Sequence, residues 1–257
     1  MKSGLLLLSL IISGCFVLVG HGAYIPDSAS PNNEEQVDFA PEAIKFSGKN
    51  DAWAVANINY EKVIRIDVKK GPNRIFQFKK ALALDSCKTN ARISAEIYFP
   101  QGFSFSNGMH KIPLGIWGGG KGTCISGGCP PSEQDGFSLR LIESEGVAYL
   151  YSYDDQRSQE DGQDTVYGRE LSSQTPLPTG RWAQVALEVL SGPEPAIKML
   201  LDGQDIYSAP IALLSQNWCI KGPLLTFMWG GNTEDPSQWA RKNEKYLIRN
   251  YRMTTWQ

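Results

Sequence analysis

From Val37 onward the chain is cut into short alternations of apolar and polar residues, and no stretch sustains the 3.6-residue apolar repeat of a helix. Residues 63–69 read V-I-R-I-D-V-K, 74–80 read R-I-F-Q-F-K-K, and 91–100 read A-R-I-S-A-E-I-Y-F-P. Gly71-Pro72-Asn73 separates the first two, after which the alternation returns, and Pro100 with Gly102 stops the third. Gly48-Lys49-Asn50-Asp51 makes an earlier turn ahead of A-W-A-V-A. Successive side chains of a strand point to opposite faces, so such segments build sheets with one buried side. Strands arriving about every 8–14 residues, with Gly, Pro and Asn between them, mark an all-β sandwich. The expected fold is a β-jelly roll of two packed antiparallel sheets, concanavalin-like, with helix confined to short turns. Only Ser237–Tyr246 is compatible with a short helix.

Three segments divide the chain. Lys2, the apolar run Leu5–Val19 and the small residues Gly20, Gly22 and Ala23 have the layout of a secretory signal peptide over residues 1–23. The run is short for a membrane span. I-S-G-C at Ile12–Cys15 has the form of a lipoprotein box, but Phe16–Val19 continue the apolar run past that Cys. Secretion to the extracellular side is therefore the expectation, with lipid anchoring as the competitor. Residues 24–36, rich in Pro, Ser, Asn and Glu, read as a mobile lead-in, and residues 37–257 as one β domain.

Outside the signal stand Cys87, Cys124, Cys129 and Cys219, an even number that in an exported chain reads as two disulfides. Of the three possible pairings, the expected one closes Cys124–Cys129 locally across C-I-S-G-G-C and joins Cys87 to Cys219. With no CxxC spacing and only two His, one of them inside the signal, neither a metal nor another cofactor is expected. A formal net charge of −2 argues against a nucleic-acid partner, while leaving room for a local cationic groove. No membrane association is expected after signal removal, and the chain is expected to be a monomer.

Chemistry concentrates between His110 and Tyr153. The segment opens with H-K-I-P-L-G-I-W-G-G-G, passes the Cys-bounded loop, and continues with G-F-S-L-R-L, the turn E-S-E-G and V-A-Y-L-Y-S-Y. Ser138 and Arg140 stand two apart, as do Tyr149, Tyr151 and Tyr153, so a hairpin at E-S-E-G gathers a serine, a guanidinium and three phenols on one face. Lys111 and His110 lie nearby in sequence. Such a cationic, phenol-lined patch suits an acidic polysaccharide; alternatively, alternating Tyr simply stabilises a strand. Trp117 and Trp229 are divided between stacking on sugars and filling the core. Asp154–Thr179 is polar apart from T-V-Y-G-R-E-L and reads as a long loop bordering the groove. The strands G-R-W-A-Q-V-A-L-E-V and A-I-K-M-L-L, the second turning at Asp202-Gly203, read as scaffold in the back sheet.

Taken in order, these pieces resemble polysaccharide lyase family 14, the alginate and glucuronan lyases with a β-jelly-roll fold. The resemblance runs from about Phe99 to Met253. K-I-P-L-G-I-W-G-G resembles the family's K-x-P-G-x-x-G-G element, departing by one residue at Leu114. F-S-L-R-L resembles its S-x-R strand and Tyr-Leu-Tyr its Y-x-Y strand; G-R-W-A-Q-V-A-L-E-V with D-G, then F-M-W-G-G with Trp239-Ala240, complete the order. The resemblance implies an alginate lyase acting by β-elimination on mannuronate-rich polymer, with the essential Lys at Lys111 and the Ser and Arg at Ser138 and Arg140. The Y-x-Y pair falls on Tyr149/Tyr151 or on Tyr151/Tyr153, and Tyr151 belongs to both.

Lytic cleavage removes the C5 proton beside the uronate carboxylate and expels the 4-O oxygen. A guanidinium on that carboxylate stabilises the enolate-like charge, a task for Arg140, with Ser138 as a supporting donor. A phenol with its usual pKa near 10 needs a neighbouring cation to act as base near neutral pH. Tyr151 is the preferred base and acid, tuned by Lys111, with Tyr149 and Tyr153 in substrate binding; the reverse, Lys111 as base, stays open. A lectin-like binding module on the same sandwich is the competing class. A glycoside hydrolase would want paired carboxylates, and Glu143 and Glu145 fall in the expected turn.

Overall fold

The computed structural model describes residues 34–44, 52–72, 74–78, 84, 86–119, 136–153, 168–191, 195–210, 219–229 and 235–256, giving only the backbone over 74–78 and at Ser172. In chain order the described strands are β1 (Glu35–Phe39), β2 (Trp53–Ile58), β3 (Glu61–Val68), β4 (Arg74–Phe78), β5 (Asn90–Tyr98), β6 (His110–Gly119), β7 (Gly136–Ser144) and β8 (Val147–Tyr153). They continue with β9 (Arg169–Pro176), β10 (Trp182–Leu190), β11 (Ala196–Leu201), β12 (Gln204–Pro210), β13 (Ile220–Pro223), β14 (Leu225–Trp229) and β15 (Glu244–Trp256). The back sheet runs β12-β11-β10-β5-β15-β3-β2, with β1 on β15; the front sheet runs β4-β14-β6-β7-β8-β9, with β13 on β6. All the strand pairs are antiparallel. This is the two-sheet jelly roll that the alternation implied. No helix among the described residues is long and apolar enough to cross a membrane.

Alternation explains the layering. Ile64, Ile66, Ile93, Ile97, Val185 and Leu187 from the back sheet meet Ile112, Leu114, Ile116, Leu139, Leu141 and Leu150 from the front sheet in one core. At one end of that core Phe99, Phe103, Phe105, Trp229 and Tyr246 pack ring against ring, with centroids mostly 5–6 Å apart. The expected back-sheet pair β10–β11 is present, and β11 turns into β12 at Asp202-Gly203. The Cys87–Cys219 disulfide is present too, with a Cα–Cα distance of 5.2 Å. It joins the approach to β5 in the back sheet to the start of β13 in the front sheet, beside the bridge between Lys88 and Ile220. Cys124 and Cys129, the signal peptide and the turn at Gly48–Asp51 lie outside the described residues.

Three expectations change. Ser237–Tyr246 is not a helix: Asp235 caps a single 3-10 turn, Pro236–Gln238, by accepting from Ser237 N at 2.9 Å, and β15 then begins at Glu244. Tyr246 and Ile248 point inward with Leu247 between them, and β15 is held by β3 on one side and β5 on the other, so the ladder overrides any helical tendency. β1 begins at Glu35, inside the stretch read as lead-in. Finally, Arg169–Pro176 of the long polar segment after the Tyr strand is β9. Its S-S-Q-T composition hides the alternation because it has a sheet neighbour only in β8, so Leu171 suffices to anchor it on the core side.

Candidate active site

The β7–β8 hairpin turns at Glu145 and Gly146, both with positive φ (53° and 82°), the pairing of a two-residue I′ turn whose twist matches the strands. Its register sets Ser138 against Tyr153, Arg140 against Tyr151 and Ile142 against Tyr149. The intervening Phe137, Leu139, Leu141, Ala148 and Leu150 enter the core, so the serine, guanidinium and phenols share the outer face of the front sheet. β6 lies on the other side of β7, with Lys111 opposite Ile142 and Gly115 opposite Arg140. Three residues of β6, Ile112–Leu114, thus face the single Leu141. Pro113, which has no N–H to give a ladder, sits in this bulge, and its carbonyl accepts from the Tyr251 hydroxyl at 2.8 Å. Ile112 and Leu114 both point inward, so the insertion keeps Lys111 on the Arg140 face. The departure at Leu114 is absorbed in the bulge.

Lys111 Nζ stands 5.7 Å from the centre of the Tyr151 ring and 6.0 Å from that of Tyr153. The Arg140 guanidinium lies 4.8 Å from the Tyr153 ring centre, and its Nε donates to Ser138 Oγ at 3.2 Å. The two phenol rings meet edge to face at 5.1 Å. Ser138, Arg140, Tyr151 and Tyr153 are buried, while Lys111, Tyr149 and Trp117 keep part of their surface, so the cluster is reached from their side. Burial, then repulsion from Arg140, brings the Lys111 ammonium down from 10.5 to about 7. Burial also presses Arg140 downward, opposed by the phenols of Tyr153 and Tyr151. The Tyr151 phenol moves the other way. Burial and then Tyr153 push it above its usual range, against a hydrogen bond from the Gly168 amide to its Oη at 3.0 Å.

Of the candidates read from the sequence, Lys111, Ser138, Arg140, Tyr151 and Tyr153 converge, which selects Tyr151/Tyr153 as the pair beside the cations. Tyr149, like Met109, packs at the margin of the cluster that Ile142, Tyr151 and Tyr153 form. Trp117, opposite Ser138, is half-buried on the same face; Trp229 belongs to the core, stacked on His110 at 4.4 Å. His110 points inward, with Nε2 2.8 Å from Ser106 Oγ and 3.7 Å from Glu143 Oε1. Glu143 is not in the turn but inside β7, fully buried. Burial lowers His110 to about 4 and raises Glu143, driving each toward its uncharged form inside the core and away from the cluster. Two residues escaped sequence reasoning. Gly168 and Glu170 sit where β9 begins, Glu170 directly across from Tyr151. The one signal was T-V-Y-G-R-E-L, the strand-like heart of the supposed loop. Among the described residues no three His, Cys, Asp or Glu side chains converge as a metal would require.

A near-neutral amine, a raised phenol and a fixed guanidinium side by side can remove a proton, supply a proton and hold a carboxylate. The sequence profile of the family Polysaccharide lyase 14 matches residues 49–250. The chain belongs to polysaccharide lyase family 14. Solved structures sharing the fold of this family 14 chain include the marine alginate lyase from Aplysia kurodai, at 22% identity over 80% of this chain and 88% of that one, with a TM-score of 0.63. A doubly substituted form of alginate lyase Aly36B, in complex with an alginate trisaccharide, shares 15% identity over 88% and 96% of the two chains, with a TM-score of 0.61. Alginate lyase vAL-1 from Chlorella virus shares 14% over 79% and 89%, with a TM-score of 0.60. At these identities the likeness is one of fold. No protein of curated function matches the chain. In this family 14 lyase the cluster lies on β6, β7 and β8, well inside the matched residues.

Proposed function

We propose that the protein is a secreted lyase that depolymerises alginate, with mannuronate-rich polymer preferred, and that Lys111 is the base and Tyr151 the acid. The observation that carries this is the Lys111–Tyr151 contact beside Arg140, with the amine brought to about 7 while the phenol is raised. An amine near 7 is half neutral at working pH and ready to take a proton, whereas a phenol kept protonated is ready to give one. This reverses the assignment favoured by sequence alone. Desolvation acts oppositely on the two groups, since it disfavours the cation of one and the anion of the other.

In the reaction Arg140, oriented by Ser138, receives the substrate carboxylate. Lys111 takes the C5 proton, the C–H electron pair becomes the C4=C5 double bond, and the C4–O bond breaks. Tyr151 hands its proton to the departing oxygen, and the proton gained by Lys111 returns to Tyr151 before the next turnover. Base and acid stand on one face of one sheet, so both protons move on one side of the sugar ring. In mannuronate the C5 hydrogen and the C4 oxygen lie on the same side; in guluronate they lie on opposite sides. That supports the mannuronate preference.

The test is to offer the purified protein polymannuronate, polyguluronate and glucuronan separately and to follow the ultraviolet absorbance of the conjugated C4=C5 uronate. Faster release from polymannuronate than from polyguluronate is expected. Binding of these polymers with no unsaturated product would turn the reading into that of a lectin-like module.

A further inference from the structure

We propose that Gly168 is a positioning residue for the lyase reaction: its backbone N–H holds Tyr151 Oη where the phenol loses its proton, and its lack of a side chain lets the chain approach that closely. The proposal rests on the reading of Tyr151 as the acid.

Geometry comes first. The last ladder pair between β8 and β9 is Ser152 with Arg169, and Gly168 lies one residue beyond it. Its N–H therefore turns from the β8 backbone to a side chain, donating to Tyr151 Oη at 3.0 Å. The φ of Gly168 lies outside the left-handed region, so backbone conformation does not call for glycine here. Space does. A Cβ at this position would stand 2.7 Å from Tyr151 Cε1, 2.9 Å from Tyr151 Cζ and 2.7 Å from the Ser152 carbonyl oxygen. The carbonyl belongs to a paired strand, and the ring is fixed by its edge contact with Tyr153, so neither yields cheaply. Any larger residue would push the chain off the phenol and break the hydrogen bond.

The chemistry gives this contact a purpose. When Tyr151 passes its proton to the leaving oxygen, the O–H bond breaks and negative charge stays on Oη. A donor already aimed at that oxygen binds the phenolate more strongly than the phenol and needs no rearrangement at the moment of reaction. A backbone amide keeps its proton at any working pH, so it cannot compete with Tyr151 as the acid. Lys111 lies over the Tyr151 ring and Arg140 over that of Tyr153, while the Gly168 amide meets the Tyr151 oxygen itself, so the phenolate forms with cations nearby and a fixed dipole on its oxygen.

Two measurements test this. Protein labelled with 15N-glycine reports the Gly168 amide directly. In Tyr151→Phe that amide proton should move upfield and exchange faster with solvent, and an unmoved resonance would overturn the contact. Kinetically, Gly168→Ala should lower turnover by about 100-fold with little change in KM, the cost of a displacement near 1 Å. Added to Tyr151→Phe it should cost almost nothing further, because it acts only through the hydroxyl already lost. An equal fold-loss in both backgrounds would show a general structural role and overturn the proposal. If the Ala variant does not fold, the amide measurement decides alone. A wild-type protein that forms no unsaturated product from any polyuronate would remove the functional reading and this role with it. The amide shift would then still report whether the contact exists, so the two failures are separable.

Discussion

Lys111 and Tyr151 touch without being ladder partners. β6 sets Lys111 against Ile142, whereas Tyr151 is set against Arg140 one strand further on, yet Nζ stands 5.7 Å from the Tyr151 ring centre. The lysine stem crosses above β7 and carries its ammonium out of water, onto two phenol faces and beside a guanidinium. A cation gains from an aromatic face, but less than desolvation and a like charge take away. The net effect is an amine that loses its proton easily.

Tyr151→Phe removes one hydroxyl and leaves the ring contacts with Tyr153 and Lys111 in place. Turnover should fall by roughly 10²–10⁴ while polymer binding persists. Wild-type rates in this variant would move the acid to Tyr153.

Arg140→Ala should lower activity by roughly 10²–10³, and Arg140→Lys should recover little, because a point charge does not reproduce the planar guanidinium that bonds Ser138 and faces Tyr153. Methyl-esterified polyuronate separates the causes. An ester acidifies the C5 proton unaided, so Arg140→Ala should lose less on the ester than on the free acid. Equal losses would mean that Arg140 holds the sugar or the fold and does not stabilise charge.

Much of this was legible in the sequence, and the limits have physical causes. The S-x-R and Y-x-Y spacings fix side chains to one face whatever the fold around them, so Ser138, Arg140 and Tyr151 could be read directly. Choosing between Tyr149 and Tyr153 required the side-chain placement, because the register sets Lys111 in the row of Ile142 and Tyr149 while its ammonium reaches the rings of Tyr151 and Tyr153. The roles of Lys111 and Tyr151 depend on burial, which the spacing of residues does not encode. β9 was hidden by its polar edge composition, and with it Gly168, whose importance lies in a contact across sheet neighbours. Glu143 reads as a turn residue because charge in a short hairpin suggests solvent; its neighbour on the alternate position, Leu141, places that face in the core, as Ile112 does for His110.

Lys111→Met should stabilise the protein in acid and neutral solution. The folded-state pKa of Lys111 is lowered from 10.5 to about 7, so below 7 the folded protein bears the full cost of a desolvated cation. That cost shrinks as pH rises from about 7 and is gone near 10.5, where the unfolded lysine also loses its proton. The gain in unfolding free energy should be on the order of 1–3 kcal/mol at pH 6 and fade toward pH 10. A gain independent of pH in denaturant titrations would show that packing, and not charge, is responsible.

Replacing Cys87 and Cys219 together by Ser should lower stability by about 2–5 kcal/mol, since the bridge closes a loop across a sequence separation of 132 and links the two sheets. Turnover of the folded variant should persist, because the bridge joins the approach to β5 to the start of β13, whereas Lys111, Arg140 and Tyr151 stand on β6, β7 and β8. A loss of turnover without a loss of stability would contradict this.

The most direct measurement is the pH dependence of kcat/KM on polymannuronate, for wild type and Tyr151→Phe. With Lys111 as base and Tyr151 as a phenol that stays protonated, wild-type activity should rise through a single limb near the Lys111 value of about 7, then hold level to the alkaline side. Tyr151→Phe should keep the same limb at a much lower height. A limb that appears only above about pH 9–10, where an unperturbed phenol ionises, and that vanishes in Tyr151→Phe would make Tyr151 the base and contradict the assignment.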